Sequence, residues 1–224
     1  MIAAPVDDGV HARHLPISYS DPIPRTARTQ PMRTFLIRLS TLIVFVGALW
    51  VVQSINWATG YAMNRAFGLV PRAVSGLDGI VGMPLLHGDF AHLASNTPPL
   101  LVMGALLAAT ATRALLAVNA VIVAMGGLLV WLFGDTAIHV GASGLVFGWF
   151  GFLTARGLVD RSPVTMGAAV LVAFLYGAMI WGVLPGQPGV SWEAHLFGFL
   201  AGAAAAFLIR THVHAPRLRR VERR

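Results

Sequence analysis

Apolar residues run through most of the chain in long stretches that no ionisable side chain interrupts. A helix needs roughly 20 apolar residues to cross the hydrocarbon core of a bilayer. Six stretches approach that length, so the pattern predicts transmembrane helices at residues 39–57, 93–112, 114–134, 136–155, 163–184 and 194–209. A few residues around Asp135 join the third and fourth spans, which should therefore be antiparallel neighbours.

Two polar tails flank the predicted spans. Residues 1–33 contain Pro, Arg and Asp without a sustained apolar run, which predicts a disordered cytoplasmic tail and not a cleaved signal peptide. Residues 211–224 are rich in arginine and predict a basic cytoplasmic tail that anchors the topology or contacts anionic lipid. Residues 34–210 remain as the membrane domain, and the predicted fold class is an all-α integral membrane protein.

The composition agrees with a membrane protein. Of the 224 residues, 56% are hydrophobic and 11% are charged, whereas about 25% of the residues of a soluble domain are charged. The net charge of +7 does not indicate a nucleic-acid partner, because the arginines lie mostly in the tails and short loops. The absence of cysteine excludes disulfides and thiolate metal ligands.

The arginines also predict the orientation, because cytoplasmic loops collect positive charge. With the N-terminal tail in the cytoplasm, 14 of the 16 arginines lie inside, and only Arg65 and Arg72 lie outside. Six spans then place both termini in the cytoplasm. We expect a multi-pass protein of the cell membrane.

Three short polar stretches lie at the starts of predicted spans or inside them, at residues 87–96, 141–144 and 193–195. Polar and ionisable groups are costly at membrane depth and therefore point to function. In the predicted topology the second, fourth and sixth spans all run from outside to inside. The three stretches should therefore meet near the outer face of the membrane.

Small residues predict that the fourth and sixth spans pack closely together. Gly144 and Gly148 in one span, and Gly198 and Gly202 in the other, recur at every fourth position, which allows close approach of two helices. This packing would bring His195 within hydrogen-bonding reach of Ser143. A serine beside a neutral imidazole is an activated nucleophile for attack on a carbonyl.

The remaining polar groups fit the needs of such an attack. His92 and Asn96 are four residues apart and share one helix face. Their side chains and the Ser143 backbone N–H are the available donors for a tetrahedral oxyanion. Glu193 and Asp135 are poorly placed to orient the imidazole, so we predict a Ser–His dyad that needs no cofactor.

Each polar group also has a structural explanation when taken alone. A serine in a transmembrane helix most often bonds its own backbone, His92 and Asn96 are equally explained as an interhelical hydrogen-bond pair, and His195 as an interfacial side chain. A metal site is disfavoured, because His87 and His92 are five residues apart and lack the spacing of the helical zinc-protease motif. The shared depth of the three stretches is what favours a catalytic site.

With these motifs the chain resembles the rhomboid family of intramembrane serine proteases over roughly residues 85–209. The order and spacing of three motifs carry the resemblance: His87, His92 and Asn96 as H-x4-H-x3-N; Gly141, Ser143 and Gly144 as G-x-S-G; and His195, Gly198 and Gly202 in A-H-x-x-G-x-x-x-G.

The resemblance implies a six-helix bundle and the roles of several residues. Ser143 would be the nucleophile, His195 the general base, and His92 with Asn96 part of the oxyanion hole. His87 would lie nearby in a water-accessible cavity. The fifth span and the loop at 185–193 would form the gate and cap that admit a substrate helix.

The implied function is endoproteolysis of membrane proteins, within a transmembrane segment near the outer leaflet. Two other functions remain open: a catalytically silent rhomboid-like protein that binds membrane clients, and a channel or transporter. Retention of both Ser143 and His195 favours the protease over the silent protein.

The sequence departs from the family pattern at a few positions. Phe147 stands where many bacterial members have a tyrosine that stacks on the catalytic histidine, and Ala108 stands where a glutamate is common. The external loop lacks the Trp-Arg pair common in the family. Pro98 and Pro99 predict a bend just below Asn96, because each removes a backbone donor.

Overall fold

The regular structure is helical throughout the part of the chain that can be described. The computed structural model describes residues 25–111 and 114–209, with side chains from Met32 onward. In these ranges one isolated antiparallel bridge, Leu69 with His139, is the only extended pairing. The α-helices there are α1 (Arg25–Ala58), α2 (Ala62–Phe67), α3 (Gly79–Gly82), α4 (Phe90–Thr110), α5 (Leu115–Val121), α6 (Gly127–Phe133), α7 (Ser143–Asp160), α8 (Pro163–Tyr176) and α9 (Trp192–Leu208).

Four helical stretches among the described residues are long and apolar enough to cross a membrane: Met32–Ala58, Phe90–Thr110, Leu115–Phe133 and Pro163–Val183. The third joins α5 to α6 through a π-helical turn, and the fourth extends α8 by a 3-10 turn. They correspond to the predicted first, second, third and fifth spans. The predicted fourth and sixth spans correspond to α7 and to the shorter apolar helix α9, so the total of six stays a prediction.

Helix boundaries differ from the predicted ones at two places. The predicted start of the fourth span at residue 136 is wrong, because α7 begins at Ser143. Backbone bonds of Leu69 with His139, 2.8 and 3.0 Å long, hold the preceding segment extended. At the other place α1 begins at Arg25, inside the segment predicted as a polar tail. Residues 1–24 and 210–224 lie outside the described residues, and the domain division stays a prediction.

The centre of the bundle is α7. Residues 144–153 of this helix are all buried, and its neighbours are α9, α8 and α4. By contrast α1 packs mainly against α4 and exposes apolar side chains such as Val44 and Val51. An apolar exposed face is what lipid requires, because lipid tails solvate such side chains.

The contact of α7 with α9 is made through backbone atoms. A methyl group at Gly198 would overlap the carbonyl of Gly144, and one at Gly202 would overlap the carbonyl of Gly148. The predicted packing of these two helices through small residues is therefore confirmed. Such close contact between backbones is typical of helices that associate inside lipid.

A buried ion pair lies at the other end of α7. Arg156 donates to the carboxylate of Asp160 over 2.6 Å, and its guanidinium lies 5.4 Å from the centre of the Phe152 ring. The helix ends where Arg161 adopts a left-handed conformation, and Ser162 then caps the start of α8. The pairing satisfies a charge that is expensive to bury alone.

The backbone contact predicts opposite effects for two glycine-to-alanine changes. We expect Gly202→Ala to lower the free energy of unfolding by about 1–3 kcal/mol, because the new methyl group forces α9 away from α7. Gly167→Ala is the matched control, since nothing lies within 4 Å of a methyl group there, and its better helix propensity adds up to about 1 kcal/mol. Unfolding in detergent micelles measures both. Equal stability of the two variants would contradict the packing.

Candidate active site

Five of the predicted site residues line one cavity of ≈ 1090 Å³, which lies between α4, α7 and α9 and beneath the loop that precedes α9. They are His92, Asn96, Ser143, Phe147 and His195. The three polar stretches therefore meet at one cavity, as predicted, whereas its position near the outer face of a membrane stays a prediction. The volume is slightly above the roughly 300–1,000 Å³ typical of ligand clefts.

Ser143 is the first residue of α7 and is half-buried. Its side-chain oxygen makes no hydrogen bond with any described residue. Backbone N–H groups at a helix start have no partner within the helix, which leaves donors beside this hydroxyl. Gly141 makes the turn before the helix with φ +131, and a Cβ there would lie 2.6 Å from Cε1 of His92. Only glycine suits this turn.

The turn that carries Ser143 is anchored from the segment before α4. The Gly141 N–H donates to the carbonyl of Met83 over 2.9 Å. The Ala142 N–H donates to Nε2 of His87 over 3.3 Å. The expectation that His87 lies in the cavity is wrong, because this side chain is fully buried and supports the turn from below.

His87 is a neutral imidazole. Burial, and to a smaller extent the nearby His92, lower the pKa of His87 from 6.5 to about 4, against the opposite effect of Asp89. A neutral ring keeps the lone pair on Nε2 that accepts from Ala142. Its Nδ1 has no hydrogen-bond partner among the described residues.

The imidazole of His195 is held on two sides. Its Nδ1 lies 2.9 Å from the carbonyl oxygen of Gly182. A carbonyl can only accept, so Nδ1 carries the proton and Nε2 keeps a lone pair. The Phe147 ring stacks on the imidazole with 4.1 Å between centroids and 10° between planes.

No hydrogen bond joins Ser143 to His195 in the described ranges, although the two side chains face the same cavity. The expectation was that helix packing brings them within reach. Catalytic hydrogen bonds are often long or poorly aligned before substrate binds. The dyad itself therefore stays a prediction.

His92 and Asn96 face the cavity from α4. Asn96 is only 6% exposed, and its Nδ2 has no hydrogen-bond partner within the described part of the chain. The ring of His92 meets that of His87 edge to face at 5.1 Å. The helix continues without a break through Pro98 and Pro99, so both side chains stay on one helical face.

A second polar cluster, which sequence reasoning missed, ties the loop before α7 to the start of α9. His139 donates from Nε2 to the carbonyl of Asp135 and accepts at Nδ1 from the Ser191 hydroxyl, over 3.0 and 2.6 Å. Ser191 caps α9, and the Glu193 carboxylate accepts from the Asp135 N–H over 3.0 Å. The cap was readable as a serine before an acidic first turn, whereas the long-range bonds had no signal in the sequence.

Among the described residues no group of three or more His, Cys, Asp or Glu side chains has the arrangement of a metal site. The histidines near the cavity instead hydrogen-bond to backbone or to Ser191, or contact a neighbouring ring.

Because the folded protein holds His87 as a neutral imidazole, we predict a loss of stability in mild acid. Between pH 6.5 and 4 the unfolded chain binds a proton that the folded protein lacks, so the free energy of unfolding falls as the pH drops through this window. The full loss is on the order of 3 kcal/mol. Thermal unfolding in micelles at a series of pH values measures this loss.

Two variants test whether His87 is its cause. His87→Gln, which accepts from Ala142 without titrating, should flatten the dependence of stability on pH, whereas His11→Gln should not. Identical pH profiles for the two variants would refute this role.

Comparison with known proteins identifies the family of this chain. The Rhomboid domain model matches residues 75–212. An uncharacterized protein of Mycobacterium tuberculosis is 37% identical over 197 residues, which cover 83% of this chain and 82% of that protein. A protein of Bacillus subtilis named "Putative rhomboid protease YdcA" is 25% identical over 191 residues, 81% of this chain and 89% of its own. With several helices apolar enough to span a bilayer, the chain belongs to the rhomboid family of multi-pass membrane proteins.

Proposed function

We propose that this protein is a serine endopeptidase that cleaves transmembrane segments of other membrane proteins near the outer leaflet. One observation carries the proposal: Ser143, with an unbonded hydroxyl, and His195, with a free Nε2, open into the same cavity. Membership of the rhomboid family supports the same activity.

In the proposed reaction Ser143 Oγ attacks the carbonyl carbon of the scissile peptide bond. His195 Nε2 accepts the hydroxyl proton as the bond to carbon forms. The carbonyl of Gly182 stabilises the resulting imidazolium through Nδ1, so no carboxylate is needed there. The stacked ring of Phe147 keeps the imidazole in one orientation.

The tetrahedral intermediate carries a negative charge that needs preorganised donors. We assign Asn96 to this role, because the residue lines the cavity and its buried Nδ2 has no hydrogen-bond partner among the described residues. His92 and the Ser143 backbone N–H complete the proposed oxyanion hole. Loss of one such donor typically slows a reaction by about 10²–10³-fold.

Collapse of the intermediate breaks the peptide bond and leaves an acyl-enzyme on Ser143. His195 returns its proton to the leaving amine. A water molecule then attacks the ester, again with His195 as base, and releases the acid product. In this proposal the water comes from the cavity, and no cofactor takes part.

The membrane arrangement belongs to the same proposal. We infer six spans, with α7 and α9 as the fourth and sixth, and both termini in the cytoplasm. The active site then lies toward the extracytoplasmic side. A substrate helix would enter beside α8, which is the least buried of the four long apolar stretches, below the loop that contains Gly186 and Gly189.

The dyad predicts complete dependence on two side chains. We expect Ser143→Ala and His195→Ala each to reduce cleavage by at least about 10³-fold, because they remove the nucleophile and the base. The assay uses purified protein in lipid vesicles and a transmembrane reporter weakened by glycine and proline. A chelator should leave the rate unchanged.

The matched control for the serine change is Ser54→Ala. Ser54 lies on α1, and its hydroxyl only bonds the carbonyl of Trp50, so this variant should cleave at the normal rate. Residual cleavage by Ser143→Ala equal to that of the control would refute the mechanism. An unmodified protein that binds the reporter without cleaving it would instead support the silent client-binding function.

The topology predicts which positions are accessible from outside the cell. Because the chain has no cysteine, one introduced thiol is the sole target of a membrane-impermeant maleimide. Gln187→Cys should be labelled in spheroplasts, whereas Ser18→Cys and Thr211→Cys should be labelled only after permeabilisation. External labelling of exactly one terminus would indicate an odd number of spans and contradict the proposed six.

A further inference from the structure

An apolar groove separate from the catalytic cavity lies between α1 and α5. Its volume is ≈ 370 Å³, and it shares no lining residue with that cavity. The groove exists because α1 packs mainly on α4 and hardly touches α5. Buried side chains of Leu42, Leu107 and Trp149 form its floor, whereas Leu116 and Val81 stand exposed at its rim.

Nearly every polar group that lines the groove is already bonded. The Asn119 side chain donates to the carbonyl of Leu115 and accepts from Trp149 Nε1, both over 2.8 Å. The Thr41 hydroxyl donates to the carbonyl of Ile37 over 2.9 Å. The groove is therefore an apolar surface, and a peptide backbone or a polar solute would find no partner along it.

Arg38 is the exception. Its side chain is half-buried, and Nη1 is a fully buried atom without a hydrogen-bond partner in the described part of the chain. No acidic side chain lines the groove. A buried guanidinium donor needs an anion or another acceptor, so the missing partner must come from outside these residues.

We propose that the groove binds an anionic phospholipid, with one acyl chain along the apolar floor and the phosphate on the Arg38 guanidinium. The groove follows α1 from Arg38 to Phe45, about 10 Å at 1.5 Å per residue, and carries its charge at one end only. This polarity matches that of a lipid. Its volume lies within the range of small-molecule sites, roughly 300–1,000 Å³.

The location agrees with the source of such a lipid. In the proposed topology Arg38 directly precedes the first predicted span, residues 39–57, on its cytoplasmic side. The cytoplasmic leaflet supplies anionic headgroups to basic pockets between helices. The groove opens toward lipid through the exposed side chains at its rim. A lipid bound there would fill the space between α1 and α5 and hold α1 against the bundle.

Native mass spectrometry of the full-length protein in mild detergent tests the proposal. The probes are palmitoyl-oleoyl phosphatidylglycerol, palmitoyl-oleoyl phosphatidylcholine and inorganic phosphate. We expect one molecule of phosphatidylglycerol to bind about tenfold or more tightly than one molecule of phosphatidylcholine. The phosphate of the anionic lipid gains a charge-assisted hydrogen bond with Arg38, whereas the choline group of the other lipid neutralises its phosphate. Inorganic phosphate should not compete at millimolar concentration, since it makes no use of the groove.

Three variants separate this site from general lipid adhesion. Arg38→Gln should abolish the preference for phosphatidylglycerol, whereas Arg33→Gln, an exposed arginine on the same helix, should keep it. Thr41→Trp leaves Arg38 intact and fills the groove, so it should weaken the binding of both lipids. This variant keeps the test decisive if Arg38→Gln does not fold.

Some results would overturn the proposal. Equal affinity of the unmodified protein for the two lipids would remove the role of charge. Competition by inorganic phosphate would identify a site for free anions, and normal binding by Thr41→Trp would exclude the groove. Identical behaviour of the Arg38→Gln and Arg33→Gln variants would assign the effect to general basic charge.

Discussion

The close contact between α7 and α9 is the constraint on which the rest of this structure depends. Two helices in lipid gain little from burying apolar side chains, so they associate where their backbones can approach. Gly198 and Gly202 on α9 supply this approach against the carbonyls of Gly144 and Gly148. Because both helices begin at the same end of the contact, Ser143 and His195 line one cavity.

The helix contact alone would not orient these two side chains. Contacts with four other residues hold them in place. Met83 and His87 hold the turn before Ser143, and the carbonyl of Gly182 with the ring of Phe147 holds the imidazole. Met83, His87 and Phe147 are buried and Gly182 is half-buried, and a buried polar bond is costly to break because water cannot replace the lost partner. The site is therefore preorganised.

The bundle contains a cavity with polar side chains and a separate apolar groove. Polar groups gather in the cavity between α4, α7 and α9, where the proposed hydrolysis needs water. Beneath α1 the lining is apolar apart from one arginine, as expected for a surface that meets lipid chains. No described residue lines both spaces.

The sequence by itself determined the apolar helices, the packing of small residues on α7 and α9, and the convergence of His92, Asn96, Ser143 and His195. Each follows from residue type and spacing, because lipid penalises polar side chains and rewards small ones at helix contacts. Only the tertiary structure decided that α7 starts at Ser143, that His87 is buried beneath the turn, and that a backbone carbonyl at Gly182 holds the His195 imidazole. Backbone atoms are the same in every residue, so the long-range bonds they make leave no pattern in the order of the side chains.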